Sequence, residues 1–268
     1  MPQQTSPTEK NAEAGKLLVE SPLSLSYAAL DLFIKNFVPT LFLDDDFICL
    51  QSCFCLLRLL LKYHDPEICY ILSSAGVTPE LYATSWFFTY FANKCDHLDV
   101  ICELWHRIII GQDNKFIFAL SIALIVYNRG SILSSEKSDL PTCMAGLSIQ
   151  TMEQLDAIMD IAQDIYERTP VSYWQSDEMN ILFGENASEH FRNMNRDQKV
   201  EMHLRLEQMQ CLPISIAEFF ENIYPDHIPC PNPKCFKFNQ IQSILKTEWN
   251  LSQKSQISTT SSNFEPTN

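Results

Sequence analysis

Glycine is scarce in this chain, with six residues in 268, and none falls in a G-x-G-x-x-G or G-K-[ST] arrangement. The backbone loops that usually cradle phosphates are therefore missing, which argues against nucleotide binding by the chain itself. Positive charge is the second shortage. Nineteen lysines and arginines stand against 33 aspartates and glutamates, a formal charge of −14. Such a surface repels phosphate backbones, so nucleic acid is a poor partner and a basic or neutral protein surface a better one. The first residues lack the apolar core of a secretory signal, and the run from Phe116 to Tyr127 falls short of the about 20 residues a membrane helix needs. Ten cysteines are present. Cys49, Cys53, Cys55, Cys69, Cys95 and Cys102 all lie in apolar, helix-patterned sequence, which points to reduced thiols in the cytosol rather than a disulfide framework.

What the sequence holds in quantity is helix signal. Phe47 to Tyr63 is apolar nearly all round, with Asp44, Asp45 and Asp46 before it and Lys62 at its end, the order of charge a helix dipole favours. Asp65-Pro66-Glu67 and Thr78-Pro79-Glu80 repeat one device: a capping oxygen, proline at the first helical position, then glutamate in the first turn. Gly76 can end the short helix between them. Leu98, Ile101, Leu104, Trp105, Ile108 and Ile109 share a helical face, with Asp96 as the expected N-cap and Gly111 just past the end. Phe116 to Tyr127 reads as a core helix stopped at Arg129-Gly130.

In chain order, residues 1–20 are polar with two prolines and read as a disordered lead-in. Residues 21–135 form the main helical unit, beginning with Leu30, Phe33, Ile34, Phe37 and Val38 at helical spacing. Residues 136–183 read as a helical extension. Ser131 to Leu147 is expected as a loop across the boundary, and Thr151 with Gln154 makes a capping box before the apolar face of Leu155, Ile158, Met159, Ala162, Ile165 and Tyr166. Residues 184–210 read as a charged connector, 211–225 as the opening of a new domain, and 226–268 as an irregular tail.

The constellations that could carry chemistry each have a plainer account. His227, Cys230 and Cys235 could clip a zinc ion but lack a visible fourth ligand, so incidental cysteines are the simpler reading. Cys49, Cys53 and Cys55 fit a core helix. His64 beside Asp65 suggests acid–base chemistry, yet Asp65 is already a cap and no nucleophile is tied to the pair. Trp86 and Trp105 read as core anchors. On residues alone, no catalytic, cofactor-binding or metal position is assigned.

The segments Tyr63-His-Asp-Pro-Glu-Ile68, Gly76-Val-Thr-Pro-Glu-Leu-Tyr-Ala83, Trp86-Phe-Phe88, Phe91 and Leu104-Trp105 resemble the C-terminal half of the TBC domain, an all-α module found in many GTPase-activating proteins for Rab GTPases. Its structural signature maps here to Asp65, Pro66, Glu67, Thr78, Pro79, Trp86 and Trp105. Further segments, among them Gln112-Asp113, Ala162-Gln163, Thr169-Pro170 and Cys211-Leu-Pro-Ile-Ser-Ile216, resemble those members in which a TBC domain is followed by a rhodanese-like domain. The resemblance implies an all-α array, a helical connector and the truncated start of a rhodanese-like domain at 211–225.

Active members carry an arginine in I-x-x-D-x-x-R and a glutamine in Y-x-Q, both in the N-terminal half. The resemblance implies that this chain begins after them. Ile161-x-x-Asp164 is followed by Glu167, with Arg168 one place late, and His106 stands where the family usually has aspartate. The implied function is a non-catalytic adaptor without cofactors, peripheral at the trans-Golgi network. It captures endosome-derived vesicles by bridging golgin tethers to vesicles that carry the WASH complex. The alternative is a Rab GTPase activator whose catalytic half is missing from this chain.

Overall fold

A computed structural model describes residues 22–43 and 46–211, and the statements below concern those residues. All of its regular elements are helical: α1 (Pro22–Phe37), α2 (Ile48–His64), α3 (Pro66–Ser74), α4 (Pro79–Tyr82), α5 (Thr84–Thr89), a 3₁₀ turn (Ala92–Lys94), α6 (Leu98–Gly111), α7 (Phe116–Tyr127), α8 (Arg129–Ser134), α9 (Leu140–Ala145), α10 (Met152–Arg168), α11 (Val171–Trp174), α12 (Asp177–Phe183), α13 (Ala187–Asn193) and α14 (Arg196–Cys211). Among the described residues the nearest thing to a strand is one parallel bridge between Cys95 and Ile149.

Helix α7 is the centre. Every residue from Phe116 to Ile125 is buried, as expected of a helix with no polar face. Its serine, Ser121, is satisfied within the helix by donating to the Ile117 carbonyl at 2.7 Å. Helix α10 lies along α7 with Leu155, Ile158, Met159, Ala162 and Ile165 turned inward. Helix α2 packs on the other flank, and its side chains that escape burial, Gln51, Arg58, Lys62 and His64, are all polar. Phe54 and Phe87 meet edge to face at 5.9 Å, and Phe87 and Phe118 at 5.3 Å, so α5 is wedged between α2 and α7.

The corners follow their capping chemistry. Asp65 accepts from the Ile68 amide at 3.1 Å, with Pro66 opening α3. Gly76 sits at φ +69°, the left-handed geometry that lets the chain leave α3 without a Cβ clash. Thr78 is extended before Pro79 and makes no side-chain cap bond, so proline's fixed φ and the extended backbone define the start of α4. Thr151 accepts from the Gln154 amide at 3.2 Å, while the Gln154 side chain accepts from the Gln150 amide.

Several expectations are corrected. The N-cap of α6 is His97, because the Asp96 amide is drawn to the Ile149 carbonyl at the parallel bridge; Gly111 is the last residue inside α6. Helix α2 starts from Phe47 in the left-handed region, with no side-chain cap bond. Asp46 instead pairs with Arg196 of α14 at 2.9 Å, while Asp44 and Asp45 lie outside the described residues. Residues 131–147 are not a loop: Pro141 falls in the first turn of α9, where proline initiates rather than breaks, and Ile132, Leu140 and Met144 are buried.

Residues 184–210, expected as a charged helical connector, are helical. They fold as α13 and α14, and α14 runs along α2. Its apolar content is thin, with Met202 and Leu206 buried. Polar partners do the rest: Arg205 binds the buried carboxylate of Glu178, and His203 Nδ1 lies 3.4 Å from the Ser52 hydroxyl. The expected lead-in, rhodanese-like opening and tail lie outside the described residues, except that Cys211 ends α14.

Removing Arg205 strands a carboxylate that is only 4% exposed. Breaking a buried pair costs about 3–5 kcal/mol, and the half-exposed guanidinium reduces this to about 1–2 kcal/mol. Arg205→Ala should lower the melting midpoint by a few degrees and raise amide exchange in α14. The double variant Arg205→Ala with Glu178→Gln should recover part of the loss.

Candidate functional site

The Asp-Pro-Glu corner is built as a clamp. Arg129, at the start of α8, donates through Nε to Asp65 at 2.8 Å and through its terminal nitrogen to Glu67. Burial raises the Asp65 carboxyl above its ordinary range, against the Ile68 amide and the Arg129 charge that favour its ionised form. Asp65, Pro66, Glu67 and Arg129 thus join α2, α3 and α8 at one point, and none is left facing an open cleft with a free catalytic group.

His64 extends the same corner. Thr169 donates its hydroxyl to the Ile165 carbonyl at 2.7 Å, so at its 2.8 Å contact with His64 Nε2 it accepts, which places the imidazole proton on Nε2. Burial, and then the nearby Arg168 charge, push this histidine down to about 3, so it stays neutral. A neutral histidine holding the end of α10 is a structural pin. The pair His64–Asp65 therefore does not assemble an acid–base site: the two side chains turn to different partners.

A second seam joins segments far apart in the chain. Gln112 donates to Gln163 at 3.1 Å, and the Tyr166 hydroxyl donates to Asp113 at 2.6 Å. Tyr166 stacks on Trp174 at 4.6 Å, and the Trp174 indole donates to the Tyr166 carbonyl. Sequence reading singled out Gln112-Asp113 and Ala162-Gln163 separately; only folding shows that they are two halves of one contact.

Trp86 is fully buried between Tyr82 and Phe91, with its indole nitrogen unpartnered. Trp105 is half-buried and donates to the Tyr90 carbonyl at 3.0 Å. Tyr90 and Phe91 both sit at positive φ, 47° and 64°, a conformation that bulky residues adopt only when their surroundings impose it. The Tyr90 hydroxyl is buried without a partner and its acidity is suppressed, chiefly by burial and then by Asp113.

Around this kinked segment lies an apolar groove of about 680 Å³. Its floor is Tyr90 and Trp105, one wall is Leu30, Phe33 and Phe37 of α1, and the other includes Phe88. Phe33 stacks on Trp105 at 5.3 Å and meets Tyr90 edge-on at 5.0 Å. Sequence reading missed the groove. The available signal was α1 itself, which carries Leu25 and Leu32 off the face of Phe33 and Phe37 and is thus apolar on more than one side.

Among the described residues no group of three or more His, Cys, Asp or Glu is arranged to hold a metal. Cys49, Cys53 and Cys55 are buried, with Cys49 Sγ 2.9 Å from the Thr40 hydroxyl and the Cys53 thiol raised well above its ordinary value by burial. His227, Cys230 and Cys235 lie outside the described residues. No described helix is long and apolar enough to cross a membrane.

Residues 10–133 match the Rab-GTPase-TBC domain family. Over 112 residues the chain is 30% identical to the TBC domain-containing protein kinase-like proteins of Homo sapiens and Mus musculus, covering 42% of this chain and 12% of each relative. The protein of the same name from Dictyostelium discoideum is 24% identical over 226 residues, 81% of this chain and 21% of its own length. The chain thus spans between 12% and 21% of the length of these relatives. Together with the all-helical array, these likenesses support the TBC family.

The His64 pin makes stability depend on pH with a definite sign. Unfolded, the imidazole takes a proton near its ordinary value of 6.5; folded, only near 3. The unfolded state binds more protons between these values, so His64's contribution is full above about pH 6.5 and is lost as pH falls toward 3. Asp65, raised by burial, works in the opposite sense at the acid end. Urea midpoints from roughly pH 7 to 4 should therefore fall more steeply for the natural chain than for His64→Gln. Equal slopes would show that the pin does not titrate as described.

Proposed function

We propose that this chain, a helical array similar to the Rab-GTPase-TBC domain, works without catalysis as a trafficking adaptor that joins proteins to one another. The observation that carries the reading is the engagement of four of its arginines. Arg107 binds Glu103 and Asp156, each at 2.7 Å. Arg129 is clamped on Asp65 and Glu67, and Arg58 donates to the Ser73 hydroxyl at 2.9 Å. Arg168 bridges to Asp164 at 2.8 Å, one place away from the family's arginine register. An activating arginine must reach a transferring phosphoryl group, a contribution of about 10³ to 10⁵ in rate; these four are committed to contacts within their own chain.

The finer reading comes from sequence likeness to TBC-domain family member 23. On it the adaptor is cytoplasmic, peripheral at the trans-Golgi network and on endosomal vesicles. It binds golgin tethers on one side and WASH-complex vesicles on the other, in endosome-to-Golgi transport. The segment behind the rhodanese-like part of that likeness, Cys211 to Ile216, lies almost wholly outside the described residues. The alternative is a Rab GTPase-activating protein, and the family match is equally compatible with it.

One pair of assays separates the two. In a panel of purified Rab GTPases the chain should leave GTP hydrolysis unchanged while a golgin tether is retained by it. Hydrolysis stimulated a hundredfold, and abolished by Arg58→Ala, Arg107→Ala or Arg129→Ala in a variant that still folds, would establish the activator instead.

A further inference from the structure

Helix α14 covers α2 with little of its own to bury. Met202 and Leu206 are buried, while Leu204 is left 47% exposed. Its other ties to the body are polar: Arg205 to Glu178 of α12, the exposed pair of Arg196 with Asp46, and His203 beside Ser52 of α2. The seat is also incomplete. A cavity of about 410 Å³ is lined by Cys55 and Arg58 on the α2 side and by Leu204, Glu207 and Gln208 on the α14 side. The preceding helix is held more firmly. In α13, Ala187 and Phe191 are buried and the Ser188 hydroxyl donates to the Pro39 carbonyl at 2.8 Å. Met194 and Asn195 then connect α13 to α14. Asn195 and Gln198 close a capping box, each side-chain oxygen accepting from the other's amide at 2.9 Å, so the start of α14 is satisfied without help from the body.

We propose that α14 is a hinged cover: it opens as a unit at the Met194–Asn195 connection while α1 to α13 stay folded, and so gates the face of α2 that carries Ser52 and Cys55. Those two residues stand three apart on one helix and share a face. Closed, Ser52 is fully buried beside His203, and Cys55 is 4% exposed at the cavity. Regions that open locally are those with few buried apolar contacts, and α14 fits that description better than its neighbours. Lifting it uncovers Met202 and Leu206, whereas lifting α10 from α7 would uncover Leu155, Ile158, Met159, Ala162 and Ile165. The polar ties are also the kind that water can replace. Arg196 and Asp46 are both more than half exposed, so their pairing is weak, and Arg205 keeps half of its side chain in solvent. The inference is independent of the adaptor reading, because it concerns a movement within the chain, whatever the chain binds.

Alkylation of the full chain with iodoacetamide, read thiol by thiol through peptide mass spectrometry, tests it. The thiolate displaces iodide only where it meets solvent, so each rate reports how often that thiol is uncovered. Cys53 is the internal control, since it falls off the face shared by Ser52 and Cys55, is fully buried and does not line the cavity. Cys55 should react faster than Cys53, and low urea should speed it less, because a small opening exposes little surface. Arg205→Ala should raise the Cys55 rate about tenfold, and Arg196→Ala by a smaller factor, with Cys53 unchanged in both. Equal rates at Cys55 and Cys53, rising together with urea, would show that α14 leaves only when the whole chain unfolds, and would overturn the proposal. A Cys55 rate indifferent to Arg205→Ala would overturn it as well, since the reagent would then be entering through the cavity with α14 in place. Should Arg205→Ala fail to fold, Cys53 would quicken too, and Arg196→Ala decides: a faster Cys55 beside an unchanged Cys53 is the expected result, and an unchanged Cys55 overturns the hinge.

Discussion

A helix with no polar face must be enclosed on every side, and α7 is such a helix. Its ten consecutive buried residues, Phe116 to Ile125, leave the surrounding chain little choice. One flank is taken by α10 and another by α2, and the aromatic wedge of Phe87 closes on Phe118. Fully burying a side chain of this size contributes about 1.5–3 kcal/mol, so the enclosure of α7 outweighs any single polar contact in the molecule. The short helices α3, α4, α5, α8 and α9 are the means by which the chain turns corners around that centre.

Two of the buried polar residues, Asp65 and Thr169, meet at one of those corners. Asp65 is at once a helix cap and the partner of Arg129, and the neighbouring His64 is held neutral against Thr169. Each group has its partner within the chain, which is why residues that look reactive in sequence prove to be joints. The signature Asp65-Pro66-Glu67 is thereby explained as architecture, and Trp86 likewise belongs to the core. What the fold presents outward is different in kind: an apolar groove floored by Tyr90 and Trp105, and a first helix only partly covered. A surface of that sort is compatible with an adaptor and with a GTPase-binding module alike.

The relation to the TBC family rests on 124 matched residues, from 10 to 133, and on relatives far longer than this chain. The match ends within α8. Helices α9 to α14 lie beyond it but are not an appendage, since α10 supplies one side of α7's enclosure and α14 covers α2. The helical body thus extends past the matched region without a break in its core.

Sequence alone determined the helices whose pattern is strong and whose ends are chemically marked. Phe116 to Tyr127 was legible from apolar content, the start of α3 from aspartate, proline and glutamate in register, and α10 from a single apolar face behind Thr151. These signals are local, confined to a turn or two of helix. Tertiary structure decided the rest. Asp96 lost the cap of α6 to a bridge with Ile149, residues 131–147 became helical where Pro141 could sit in a first turn, and α14, although its own pattern is nearly featureless, folded along α2 with His203 on Ser52 of α2, Arg205 on Glu178 of α12 and Arg196 on Asp46. The groove and the seam of Gln112 with Gln163 belong to this class too. Their partners lie tens of residues apart, and whether a buried charge finds its counter-charge is a property of the assembled core rather than of any stretch of chain.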